Sequence, residues 1–239
     1  MTQITTSIAE KVVLDISKEI NDYHFDIINW RNLNEHQLWV ELVACIIGSQ
    51  VSHEHAKSVL THINSLGLLD AQIIIKESSN REMMISEELS KPVYAPIRKN
   101  GLGRKFRYPN VRAKQICHTA ISIYSKNSSL FRLLNESRND FEARNRIMNA
   151  CAGIGPKQSS MFLRNIGYSS NLAIIDSHVL KFMYKKGLTI NNNGYIRQHS
   201  EYFNLENNFL QYAKEVGINP GDLDMAIWTV MRMVDVGDY

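Results

Sequence analysis

An all-α fold is predicted for this chain by three observations. Apolar residues recur with helical spacing along most of its 239 residues, no run alternates as a strand does, and glycine or proline separates successive periodic segments. Ser7 to Asn21 sets Ile8, Val12, Ile16 and Ile20 at four-residue intervals, one face of an amphipathic helix. His36 to Ile47 is strongly apolar and reads as a core helix, and Val51 to Ser65 continues beyond Gly48-Ser49-Gln50. Asp70 to Glu88 makes one or two shorter helices. Pro92, Pro96, Gly101, Gly103 and Pro109 then mark a loop. Val111 to Tyr124 is the next helix, followed by a short apolar segment, Leu130 to Leu134. Phe141 to Ala152 and Lys157 to Ile166 are helical on either side of Gly153-Ile154-Gly155-Pro156. After a turn at Gly167 to Asn171 and the apolar run Leu172 to Ile175, Asp176 is placed as the N-cap of a helix towards Lys186. Two further helices, near Ser200 to Val216 and Asp222 to Val234, are separated by Gly217 and Pro220.

Composition narrows the class. Hydrophobic content of 44% and charged content of 21% are ordinary for a globular protein, and no apolar stretch approaches the roughly 20 residues that span a bilayer. Met1 to Lys11 is polar and has no secretory core, so the expected location is the cytoplasm, at the nucleoid in a prokaryote, with no membrane partner. Cys45, Cys117 and Cys151 lack metal or disulfide spacing and read as small buried hydrophobes, which excludes a four-cysteine cluster within the chain. His53-Glu54-His55 has i, i+2 spacing, which points the rings apart on a helix, so no metal site is assigned. Net charge is only +3, yet Lys91, Arg98, Lys99, Arg104, Lys105 and Arg107 cluster with no acidic residue between them. That stretch is either a solvated loop or a basic arm along a phosphate backbone.

The richest motif is Gly153-Ile154-Gly155-Pro156-Lys157. Two glycines permit positive φ, and proline at the first helical position loses only an N–H that has no helical partner. The result is a helix-hairpin-helix whose bare amides suit a phosphate oxygen. Lys157 in the first turn is then a phosphate contact or a nucleophile. An amine attacks only when unprotonated; free lysine has a pKa of about 10.4, and burial or a helix N-terminus lowers such a value.

The stretch from Ala150 to Tyr168, with Leu172-Ala173-Ile174-Ile175-Asp176 after it, resembles the signature of the helix-hairpin-helix DNA glycosylases. Phe162-Leu163-Arg164-Asn165-Ile166-Gly167 is most similar to the short class of 8-oxoguanine DNA glycosylase/AP lyases. The resemblance is specific over roughly residues 140 to 185. It extends more loosely through Glu41 to Lys57, Tyr108 to Tyr124 and Asp222 to Trp228. It implies two helical subdomains flanking a DNA-binding cleft. One covers 36–170 and carries the hairpin; the other combines 1–35 with 171–239.

The resemblance also implies chemistry: base-excision repair on double-stranded DNA holding a damaged base, by a monomer without cofactor. Lys157 would attack C1′ of a flipped nucleotide, and Asp176 would stabilise the positive charge developing on the sugar. Gly153 and Gly155 would present amides to phosphate. His178 would lie near a backbone phosphate or be an ordinary first-turn residue. Gln50 would fill the gap left by the flipped nucleotide or simply link two helices. Arg112 and Lys114 are similar to residues on a DNA-facing helix, with solvated surface as the alternative. Asp224 and Trp228, four apart on one helix, match a base-pocket pair, although a tryptophan there is also plain core. One departure stands out. The short class typically ends in a lysine that helps hold the modified guanine, and this chain ends Asp235-Val236-Gly237-Asp238-Tyr239. The activity implied is excision of an oxidised purine, foremost 8-oxoguanine, through a Schiff base and β-elimination. The alternatives are another base within the superfamily, or a hairpin that only grips DNA.

Overall fold

A computed structural model describes residues 3–22, 28–98, 101–125 and 128–236. Lys99 of the basic cluster and residues 237–239 lie outside them. Twelve α-helices and one 3-10 turn form among the described residues, divided into two compact units, 29–162 and 1–28 with 163–239.

The 29–162 unit opens with a 3-10 turn at Trp30–Asn32 and continues as α2 (Glu35–Ile47), α3 (His53–Ser65), α4 (Ala71–Lys76), α5 (Ser78–Leu89), α6 (Pro109–Tyr124), α7 (Leu130–Asn135) and α8 (Asp140–Ala150). α2 starts where Asn34 and Gln37 form a reciprocal capping box, and it buries Leu38, Trp39, Leu42, Val43, Cys45, Ile46 and Ile47. Burying seven apolar side chains of one helix makes it the centre of the unit's core. Trp39 Nε1 donates to the Leu69 carbonyl at 2.8 Å, which satisfies the one polar group the indole brings inside. Between α5 and α6 the expected loop is partly ordered as a narrow ribbon. Tyr94 and Arg104 exchange antiparallel backbone bonds, and Arg98 N–H donates to the Leu102 carbonyl. His55 anchors the ribbon's base, stacked on Phe106 with Nδ1 2.7 Å from the Ala95 carbonyl.

The other unit comprises α1 (Gln3–Asp22), α10 (Ser177–Lys186), α11 (His199–Val216) and α12 (Pro220–Val236) around one apolar core. Of the predicted α1 face, Ile16 and Ile20 pack against this core, but its centre lies one residue further on. Val13 and Ser17 are fully buried, while Ile8 and Val12 are exposed. Ser17 tolerates burial because its hydroxyl donates to the Val13 carbonyl at 2.7 Å, so a polar residue hid the true face from the hydropathy pattern. Helix α9 (Pro156–Asn165) carries the chain from one unit into the other.

Contacts between residues distant along the chain set the limits of the two units. Trp30 packs on Phe131, and Glu35 accepts from the Leu130 and Phe131 amides, so the 3-10 turn belongs with α7. Residues 163–170 belong with α12, since Arg164 pairs with Asp224 and Gly221 N–H donates to the Ser170 carbonyl.

Candidate active site and nucleic-acid interface

The hairpin joins α8 to α9 as expected, with Pro156 as the first helical residue and Lys157 following it. Of the two glycines, Gly153 carries the left-handed turn at φ 74°. Gly155 instead caps α9, its carbonyl accepting from the Ser159 amide and hydroxyl at 3.1 and 2.7 Å. Ser159 and Ser160 are buried, and Ser160 Oγ accepts from Arg144 of α8, a side-chain bond between the two hairpin helices. Ala152 N–H donates to Thr119 Oγ1 of α6, and the Gln115 side chain occupies the space where a Cβ on Gly153 would lie.

A substitution there has two consequences. Gly153→Ala is expected to lose about 1–2 kcal/mol from the left-handed backbone alone and to displace Gln115. A urea denaturation midpoint indistinguishable from wild type would contradict it.

Lys157 is half-buried. It lies close enough to Cys45 of α2 to act on its thiol. Burial, then Glu41 and Cys151, push that thiol well up, and Lys157 pulls the other way. Burial likewise pushes Cys151 up to about 12, so both thiols are neutral rather than nucleophiles. All three cysteines are buried and free, as small hydrophobes.

Asp176 is the N-cap of α10, its Oδ1 accepting from the His178 and Val179 amides at 2.9 Å each. The segment leading to it is held residue by residue. Tyr202 Oη donates to the Ala173 carbonyl and accepts from Ile175 N–H. Asp224 Oδ2 accepts from Ile174 N–H at 2.8 Å, and its Oδ1 is paired with Arg164 Nη1. Asp224 is thus engaged inside its unit, where it braces the segment leading to Asp176. Burial pushes its carboxyl up to about 6 although Arg164 and the Ile174 amide pull it down. Trp228, four residues on, is 38% exposed with Arg232 stacked on its ring, so it is not plain core.

Arg112 requires correction. It is buried, with Nη2 donating to the Ser49 carbonyl at 2.9 Å and Nη1 to Gln115 Oε1 at 2.6 Å, and it faces the protein rather than an external phosphate. Lys114 on the same helix is exposed. Gln50 is exposed in a left-handed conformation, φ 65°. His178 is half-buried beside Lys181, Tyr184 and the Asn191–Gly194 loop, which together line a recess of about 270 Å³. No group of histidine, cysteine or carboxylate residues among the described residues could hold a metal ion.

Charge completes the picture. Between Leu89 and Asn135 there are ten Lys or Arg and no Asp or Glu. The rest of the chain then carries 17 basic and 24 acidic residues and is net negative, so the modest overall +3 conceals one strongly basic segment. Arg98, Arg104, Lys105 and Arg107 of that segment are exposed on or beside the ribbon.

Comparison with known proteins agrees with this arrangement. A family model described as 8-oxoguanine DNA glycosylase, of helix-hairpin-helix type, matches residues 16–218. The chain belongs to that family. A relative in the 8-oxoguanine DNA glycosylase family, the 8-oxoguanine DNA glycosylase/AP lyase of Metallosphaera sedula, is 32% identical over 190 residues, 79% of this chain and 78% of its own. The enzyme of the same description from Saccharolobus islandicus is 29% identical over 204 residues, 85% and 86% of the two chains. Among solved structures, the 8-oxoguanine DNA glycosylase of Methanocaldococcus jannaschii superposes with a TM-score of 0.69 at 23% identity, covering 93% and 92% of the two chains. The M. jannaschii glycosylase/lyase bound to a 15mer DNA containing 8-oxoguanine gives 0.63 at 22% identity, covering 93% and 88%. At that identity the superpositions establish the fold of the family. No described helix is long and apolar enough to cross a membrane.

Proposed function

We propose that this chain is a base-excision DNA glycosylase with AP lyase activity, acting on an oxidised purine and foremost on 8-oxoguanine. The observation that carries the reading is Lys157 in the first turn of the hairpin helix, with Asp176 capping α10, in a member of this family. The Lys157 amine attacks C1′ of the flipped nucleotide. The C1′–N9 bond breaks, and the base leaves with the bonding electrons and takes up a proton. The Asp176 carboxylate offsets the positive charge on the sugar in that transition state. Ring opening leaves an imine between Lys157 and C1′. Loss of the C2′ proton then expels the 3′ phosphate, which cuts the strand, and water releases the enzyme.

Flipping disrupts stacking at a cost of a few kcal/mol, and Gln50 fills the gap while the hairpin amides and His178 hold backbone phosphates. The basic ribbon supplies salt-dependent affinity for the duplex. Trp228 offers a ring face to the extruded base. The monomeric state and the nucleoid location belong to this reading as well.

Borohydride reduction with an 8-oxoguanine duplex tests the proposal. Wild type should form a covalent protein–DNA adduct and Lys157→Gln none. Absence of an adduct with wild type, or its persistence in Lys157→Gln, would overturn the nucleophile assignment. In a second reading the same chemistry serves a different base. A panel of lesion duplexes separates the two, and exclusive cutting at 8-oxoguanine dismisses the second.

A further inference from the structure

Two non-glycine residues among the described ones have left-handed backbones, Gln50 at φ 65° and Tyr108 at φ 61°, and Arg112 bonds to the residue before the first and to the second. Its backbone N–H donates to the Tyr108 carbonyl, and its guanidinium donates to the carbonyl of Ser49, the residue before Gln50. A left-handed conformation is unfavourable for glutamine, which has neither the missing Cβ of glycine nor the short self-bonding side chain of asparagine. Such a conformation persists only where its surroundings over-determine it. Arg112 is itself in a costly place, since a 6% exposed guanidinium is bonded to two neutral oxygens and its Nε finds no acceptor.

The bonds continue along one face of α6. Arg112, Gln115 and Thr119 are spaced i, i+3 and i+7 and so share one side of the helix. Arg112 holds the Ser49–Gln50 turn at one end. Gln115 accepts from Arg112, and its amide lies where Gly153 has no side chain, 2.0 Å from the position a Cβ would take. Thr119 accepts from Ala152 N–H at 3.0 Å. Three side chains of one helix thus tie the Gln50 turn to the hairpin turn, within a single compact unit.

We infer that Arg112 and Gln115 are positioning residues: they hold Gln50 in its left-handed turn at a set distance from the hairpin, so that Gln50 fills the duplex while the hairpin grips the backbone. The inference rests on the reading above for the role of Gln50. It has a consequence that general stability does not. A gap-filling residue matters only where an opposite strand leaves a gap, so single-stranded lesion DNA does not need it.

The test compares excision from an 8-oxoguanine duplex with excision from the same oligonucleotide as a single strand. Arg112→Met, of similar length but without donors, is expected to lose about tenfold in kcat/KM on the duplex and less than about twofold on the single strand. Gln50→Ala should show the same split, and the double variant should lose no more than the larger single, as coupled residues do. Equal losses on both substrates, or losses that multiply, overturn the inference. Hydrogen exchange without DNA reads the hold directly. The Gln50 and Val51 amides should exchange about tenfold faster in Arg112→Met, with the α3 amides unchanged. Unchanged exchange overturns the inference even if the wild type proves inactive on every lesion, which would instead overturn the proposed function. If Arg112→Met does not fold, Arg112→Lys serves, because one ammonium cannot reproduce the fork that spans Ser49 and Gln115.

Discussion

Arg164→Ala is expected to destabilise the protein by about 3–5 kcal/mol near pH 8, because it strands the buried Asp224 carboxylate. The penalty should shrink on acidification. Burial already pushes the Asp224 carboxyl up to about 6, against the pull of Arg164 and the Ile174 amide, whereas an unfolded aspartate titrates near 3.9. Between about pH 4 and pH 6 the folded chain holds a proton that the unfolded chain has released. Its stability therefore falls as pH rises through that window and levels above it. Without Arg164 the pull is lost, the folded value rises further, and the window extends upward. Urea midpoints at pH 5 and pH 8 read the effect, with a larger gap between wild type and variant at pH 8. An equal penalty at both pH values would show that the charge of Asp224 plays no part.

Asp176→Asn separates the two roles that coincide at this position. Asparagine caps helices about as well as aspartate, so α10 should persist and the midpoint should move by less than about 1 kcal/mol. Base excision should nonetheless fall by roughly 10²–10³-fold, because the charge opposite the developing cation is gone. Cutting at a preformed abasic site should suffer less, since Lys157 can form an imine with the open aldehyde without that cation. Single-turnover rates on the two substrates measure the split. Parallel loss on both, accompanied by a lower midpoint, would reduce Asp176 to a cap.

Much of the architecture is legible in the chain because it depends on near neighbours. Asn34 with Gln37, Asp176 before α10 and Pro156 at the start of α9 are caps or starts whose partners lie within four residues. The apolar periodicity of α2 locates the core of one unit for the same reason. The α1 face is legible only at Ile16 and Ile20, because a buried serine takes a position that hydropathy assigns to solvent, its hydroxyl satisfied by a carbonyl one turn back. Arg112 was misread for a related reason. A guanidinium reads as surface by residue type, and only the fold brings the Ser49 carbonyl, 63 residues away, within its reach.

The candidate site divides in the same way. Lys157 on its hairpin and Asp176 on its cap are consequences of local sequence, since glycine, proline and aspartate act on the backbone immediately around them. The tertiary structure decided what steadies them. Asp224 is turned inward on Arg164 and Ile174, Gln115 is seated against Gly153, and Arg112 is set behind Gln50. Each of those partners is distant along the chain from the residue it serves, apart from the helical neighbours Arg112 and Gln115. Side-chain bonds across such separations leave no periodic signal, because their geometry exists only after the helices have packed.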